Sequence, residues 1–217
     1  MLYIVATPIG NLKDISQRAL EVLRSADLIA CEDTRHTGIL LKHYSIVTST
    51  TSYFQHNRIT KGEYLLRLLK EGKTIALVSD AGTPGILDPG YQIINLALKN
   101  NIMISVIPGA TAFVAALVAS GKPAHRFLFE GFLPNRPQAR RNRLKVLAKL
   151  KCTVVFYESC HRLRATLEDI KTVWPIQDIV VARELTKKFE EVLRARPEAL
   201  IARFATNPPR GEFVVII

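Results

Sequence analysis

SDAGTPGILDPG, residues 79–90, follows the apolar run TIALV at 74–78 and precedes a helix-like segment that opens near Tyr91. Five of its twelve residues are Gly or Pro, so the backbone there is bent, constrained and short of side-chain bulk. A strand that ends in such a loop brings bare backbone N–H and C=O groups within reach of a small molecule. Asp80 and Asp88 add negative charge, which suits a cationic ligand better than a phosphate. Taken singly, the loop is also a plain rigid turn between strand and helix. What lifts it above that is the recurrence of similar loops along the chain.

Outward from this loop, apolar runs at 2–6, 28–31 and 102–107 alternate with helical patterns that end near Ser25 and span 62–70 and 91–99. That alternation is the signature of parallel βαβ units. Asp14 and Gln17 resemble a capping arrangement for the first helix. After SGKP at 120–123 a second series begins, with strands at 127–130, 153–157, 179–182 and 213–217 and helices between them. A hinge at 121–124 divides the chain into two α/β domains, 1–121 and 122–217.

The 217 residues are 48% apolar, enough to bury a large core. No run approaches the roughly 20 apolar residues that cross a bilayer, and the opening MLYIVATPIG has no basic stretch ahead of its apolar residues. A cytoplasmic protein is expected. The three cysteines fall in no CxxC spacing and the five histidines in no HExxH pattern, so neither a disulfide framework nor a protein-held metal is expected. GxGxxG after the first strand, GxxxxGK[ST] and GxSxG are all missing, which argues against dinucleotide, P-loop and α/β-hydrolase chemistry.

The net charge of +11 and a pI near 9.8 point to a polyanionic partner. The excess concentrates at 136–151, where seven basic residues occur with no acidic one. Leu144, Leu147 and Leu150 recur there at helical spacing, so one face packs inward while the Arg/Lys face meets solvent. Phosphate neutralisation is the commonest use of such a cluster.

The strand-end loops ATPIGNL (6–12), CEDTRHT (31–37), SDAGTPG (79–85), PGATA (108–112), EGFLP (130–134) and FYESCHR (156–162) are expected to converge as the C-terminal strand ends of an open parallel sheet do, on the edge where ligands bind. In this order they resemble the tetrapyrrole methylase superfamily of S-adenosylmethionine-dependent methyltransferases. Within it they are most similar to the ribosomal RNA small subunit methyltransferase I family, which methylates the ribose 2′-oxygen of a cytidine in 16S rRNA. The resemblance runs from LYIVATPIGNLKDI to NPPRGEFVV.

The resemblance implies two α/β domains with the methyl donor, S-adenosylmethionine, in the cleft between them, and a homodimer. Matched by motif, the donor-side residues are Pro8, Ile9, Asp80, Gly82, Thr83, Thr111 and Ala112 from the first half. From the second come Phe132, Tyr157, Ala182, Arg183 and Gly211. The family commonly has Pro where Cys160 stands and PGPSA where this chain has PGATA; neither change adds bulk or charge. Members commonly continue past the last strand, and such a segment bears on RNA affinity.

The implied reaction is a direct displacement at the donor's methyl, for which the protein aligns two reactants and removes one proton. Asp33, His56 and Glu158 are the candidate proton acceptors or orienters. Arg35 can hold a phosphate, and Arg136, Arg140, Arg141, Arg143 and Lys145 are expected on the RNA backbone, either of naked 16S rRNA or of the small subunit. Two rival readings are methylation of a tetrapyrrole precursor and a non-catalytic RNA-binding factor that keeps the fold.

Overall fold

The computed structural model describes residues 1–88, 90–174 and 178–217; Pro89 of the 79–90 loop lies outside them. The chain divides into two compact units, Met1–Thr111 and Ala112–Ile217, each with one five-stranded sheet.

In the first unit the elements run β1 (Leu2–Val5), α1 (Gln17–Ser25), β2 (Leu28–Cys31), α2 (Thr34–His43), β3 (Thr50–Ser52), α3 (Arg58–Lys70), β4 (Ile75–Leu77), α4 (Gly90–Lys99) and β5 (Ile104–Ile107). The strands lie in the order β3-β2-β4-β1-β5, every pair parallel. Alternate strand residues serve opposite faces. Val5, Ile29, Cys31 and Ala76 bury against α1 and α2, while Leu2, Ile4, Ala30, Ile75 and Leu77 bury against α3 and α4. A sheet covered on both faces explains why its central strands read as unbroken apolar runs. The chain leaves β2 toward one edge of the sheet and β4 toward the other, so the crevice beyond their C-terminal ends is a topological switch point.

The second unit opens with α5 (Ala112–Ser120) and continues β6 (Phe127–Phe132), α6 (Pro137–Leu147), β7 (Thr153–Ser159), α7 (Leu163–Val173), β8 (Ile179–Arg183), β9 (Glu191–Ala195), α8 (Pro197–Thr206) and β10 (Glu212–Ile216). Its sheet has the order β6-β7-β10-β8-β9, parallel only between β6 and β7. Leu144 and Leu147 of α6, Leu163, Leu167 and Ile170 of α7 and Leu200 and Phe204 of α8 bury against Val154, Phe156, Val181 and Val215. Trp174, the one tryptophan of the chain, packs on the edge of this core.

Several local expectations change. The first helix is capped by Ser16, whose hydroxyl accepts from the Ala19 N–H at 3.2 Å, while Asp14 sits in a preceding 3-10 turn. Helix α2 starts inside the 31–37 segment read as a loop. Leu150 lies past the end of α6 and is exposed, so only Leu144 and Leu147 carry the inward face. Helix α5, which the hinge expectation leaves with the first half, packs on β7, β8, β9 and β10.

Candidate active site

The C-terminal edge of the first sheet is tied together loop by loop. Beyond β1, Thr7 and Gly82 exchange both backbone hydrogen bonds, at 2.9 and 3.1 Å. The Thr7 hydroxyl donates to the Ser79 carbonyl at 3.1 Å, and the Ser79 hydroxyl turns to the Ala81 carbonyl at 3.3 Å. The Thr83 and Thr111 hydroxyls meet at 2.8 Å, linking the loops after β4 and β5. The Asp33 N–H donates to Asp80 Oδ1 at 3.1 Å, linking β2 to β4. Gly82 has φ +81°, a conformation that only glycine takes freely. A Cβ built on Gly109 would lie 3.0 Å from the Ala6 Cβ. Ile9, Asp80, Gly82, Thr83 and Thr111 thus belong to one cluster of loops at this sheet edge, with Pro8 buried in the loop after β1.

Asp88 has a different task from a free anionic ligand group. Its Oδ1 accepts from the Gly85 and Gly90 N–H groups at 2.7 Å each and so holds the loop before α4. Burial pushes its carboxyl above the ordinary range despite those bonds.

In the second unit the aromatic residues gather. Phe113 stacks on Phe129 with ring centroids 4.2 Å apart, and Tyr157 meets Phe129 and Phe132 at 5.1 and 5.7 Å. The Tyr157 hydroxyl accepts from the Phe113 N–H at 3.3 Å, and burial raises its ionisation above the ordinary value. Phe132 presents an exposed face. Ala182 is buried opposite Val214, and Arg183 donates to the Arg210 carbonyl at 2.7 Å. Gly211 has φ +90°, where any other residue is strained, and a Cβ there would displace the flexible Glu184 side chain. Ala112 opens α5.

The three candidate bases fare differently. Asp33 caps α2, accepting from the Arg35 N–H at 2.8 Å, and forms a two-pronged pair with the Arg35 guanidinium at 3.1 and 2.7 Å. That guanidinium holds its carboxyl well below the usual range, which makes it a weak base. Glu158 has a side chain 0% exposed, accepting from the Thr166 hydroxyl at 2.6 Å and the Ser159 N–H at 2.9 Å beside Arg162 at 3.4 Å. A carboxylate so enclosed fastens β7 to α7 and is not free to meet a substrate. His56 is exposed, edge-on to Phe54 at 6.2 Å.

The neighbour of Asp33 was missed. Glu32, the first residue past β2, is half-buried, and burial with the nearby Asp80 and Asp88 charges pushes its carboxyl above the ordinary range. The only signal in the sequence was its place in the EDTR segment.

The basic stretch is corrected by its partners. The Arg140 side chain is 5% exposed and donates to Asp169 at 2.7 Å, with Arg141 on the same carboxylate at 3.3 Å. Arg143 makes a fork with Glu130 at 2.6 and 2.7 Å. Arg140 is therefore an internal tie between α6 and α7, because a buried guanidinium requires a buried acid. Arg136 and Lys145 remain exposed, and Arg35 is 90% exposed although paired. A separate groove of about 310 Å³ is lined in part by Lys122, His125, Arg126 and Lys151. Among the described residues no three His, Cys, Asp or Glu side chains are placed to hold a metal, and no helix is long and apolar enough to cross a membrane.

Residues 1–201 match the family described as Tetrapyrrole (Corrin/Porphyrin) Methylases. The chain is 50% identical, over all of its length and 78% of the relative's, to "Ribosomal RNA small subunit methyltransferase I" of Synechocystis sp.. It is 49% identical, over all of its length and 75% of the relative's, to the protein of the same name from Halalkalibacterium halodurans. Among solved structures, a cobalamin biosynthetic enzyme, cobalt precorrin-4 methyltransferase, superposes with a TM-score of 0.76 at 20% identity, covering 99% of this chain and 93% of its own. At that identity the likeness is one of fold.

Proposed function

The chain belongs to the tetrapyrrole methylase family and, within it, to ribosomal RNA small subunit methyltransferase I; on that premise we propose that it transfers the methyl group of S-adenosylmethionine to the 2′-oxygen of a cytidine in 16S rRNA. The observation that carries this reading is the 50% identity to a relative so named, maintained over the whole chain. The first unit suits the donor. Gly82 supplies the positive φ that the loop after β4 takes, Gly109 lets its loop close on Ala6 where a Cβ would lie at 3.0 Å, and the Asp80 carboxylate supplies negative charge to a sulfonium. Phe132 and Tyr157 offer the apolar walls that an adenine ring needs.

The donor brings an already electrophilic methyl carbon. The task left to the protein is to align the acceptor oxygen behind it and to take up one proton. In this reading Thr83 and Thr111 hold the loop backbone against the donor, Asp80 faces its cationic end, and exposed cations such as Arg136, Lys145, Arg126 and Lys151 meet RNA phosphates. Family resemblance extends the reading to a homodimer, and an rRNA substrate extends it to the cytoplasm.

The test is transfer of labelled methyl to small ribosomal subunits lacking the modification, with naked 16S rRNA and a tetrapyrrole precursor alongside. Label on a cytidine 2′-oxygen is the expected result. Label on the tetrapyrrole alone would overturn the reading.

A further inference from the structure

The geometry points to Glu32 as the catalytic residue that accepts the proton of the acceptor hydroxyl, an inference that rests on the methyl-transfer reading above. Glu32 stands at the switch point between β2 and β4, directly beyond Cys31, the last residue of β2. The loop after β4 carries Asp80, Gly82 and Thr83, and Asp80 is fastened to the residue next to Glu32 by the Asp33 N–H. A base at this position lies on the same sheet edge as the loops that suit the donor.

The state of its partners separates Glu32 from the other carboxylates of that edge. Asp33 is held by Arg35, and Asp88 is committed to two loop N–H groups. Among the described residues the Glu32 side chain has no hydrogen bond or ion pair. The charged groups facing it are the carboxylates of Asp80 and Asp88, and both charges together with partial burial favour its protonated form. A carboxylate tuned upward is a better base near neutral pH than an ordinary one.

A second observation at the same place points to an occupant. Glu32 shares a small cavity of about 10 Å³ with Tyr53, Ser79, Pro84 and Asp88, enough for about one water molecule. Tyr53 is 2% exposed and, among the described residues, its hydroxyl lacks a hydrogen-bond partner. A buried hydroxyl left in that state calls for a water or a ligand group. Glu32 lines the same cavity as an acceptor, and a water bound there would carry the proton outward after the reaction.

The step balances. The hydroxyl O–H bond breaks toward Glu32 as the oxygen–methyl bond forms and the sulfur–methyl bond breaks, its electron pair returning to sulfur. The sulfonium becomes a neutral thioether, and the carboxylic acid then releases its proton to solvent.

The experiment is E32Q in the full chain, with donor binding followed by calorimetry and single-turnover methyl transfer to unmodified small subunits followed across pH. The expected result is donor affinity within about threefold of wild type and a transfer rate lower by about 100-fold or more. The wild-type rate should climb with pH through the raised carboxylate ionisation and then level, and E32Q should lose that climb. E32D, which retracts the carboxylate by one methylene, should fall between the two. Transfer by E32Q or E32D within about threefold of wild type, an unchanged pH profile, or loss of donor binding in step with loss of rate would each overturn the assignment. Wild-type protein that labels no RNA would overturn the methyl-transfer reading itself; label from wild type and E32Q alike would overturn only the role of Glu32.

Discussion

Gly109 and Gly38 are both glycines, and the structure assigns them opposite consequences. A Cβ on Gly109 meets the Ala6 Cβ at 3.0 Å, whereas one on Gly38, inside α2, meets nothing within 4 Å. Gly109→Ala should cost about 1 kcal/mol of stability through overpacking and weaken donor binding measured by calorimetry. Gly38→Ala should add about 0.5–1 kcal/mol, because a helix-interior glycine loses backbone entropy for no packing gain. Thermal unfolding of the pair checks both signs. The loop glycines were legible in the sequence, since their density in 79–90 marks a bent strand end. The fates of Asp33 and Glu158 were not. An EDTR or YES segment shows a carboxylate, but whether it is free depends on partners such as Arg35 or Thr166 that only folding brings to it.

Helix α6 shows the same limit at the level of an element. Its leucine spacing predicted an inward face, and Leu144 and Leu147 occupy it. Its lack of acidic residues suggested a free cationic face, yet the acids that neutralise it come from β6, as Glu130, and from α7, as Asp169. Asp169→Ala leaves Arg140 buried without its counter-charge and should cost about 3–5 kcal/mol, read as a lower denaturant midpoint. A full recovery of stability in a double variant with Arg140→Met would locate the loss in the stranded charge. Strands were legible in proportion to their burial. Central β2, β4 and β8 read clearly because apolar residues fill them, while β3, with the sequence TTS, and the edge strand β9, with half-exposed residues, carry no such run.

At the scale of the whole molecule, the charge of +11 survives the internal pairing of Arg140 and Arg143, and Arg136 and Lys145 are among its exposed carriers. RNA affinity should fall linearly with the logarithm of salt concentration, and removing Arg136 and Lys145 together should make that slope shallower by about 1–2. Arg140, enclosed as it is, should leave the slope unchanged in any variant that still folds; filter binding at several salt concentrations separates the two groups. The division into two α/β units was legible from the two series of strands. The membership of α5 was not, because an apolar helix at a junction fits either neighbour until its packing on β7 to β10 is seen. The position of Trp174 gives the second unit an optical identity of its own. Selectively excited indole fluorescence reports the melting of the core built from α6, α7 and α8 and is blind to the Met1–Thr111 unit. Its transition compared with that of the far-ultraviolet circular dichroism, which sees both units, therefore measures whether the two halves unfold as one.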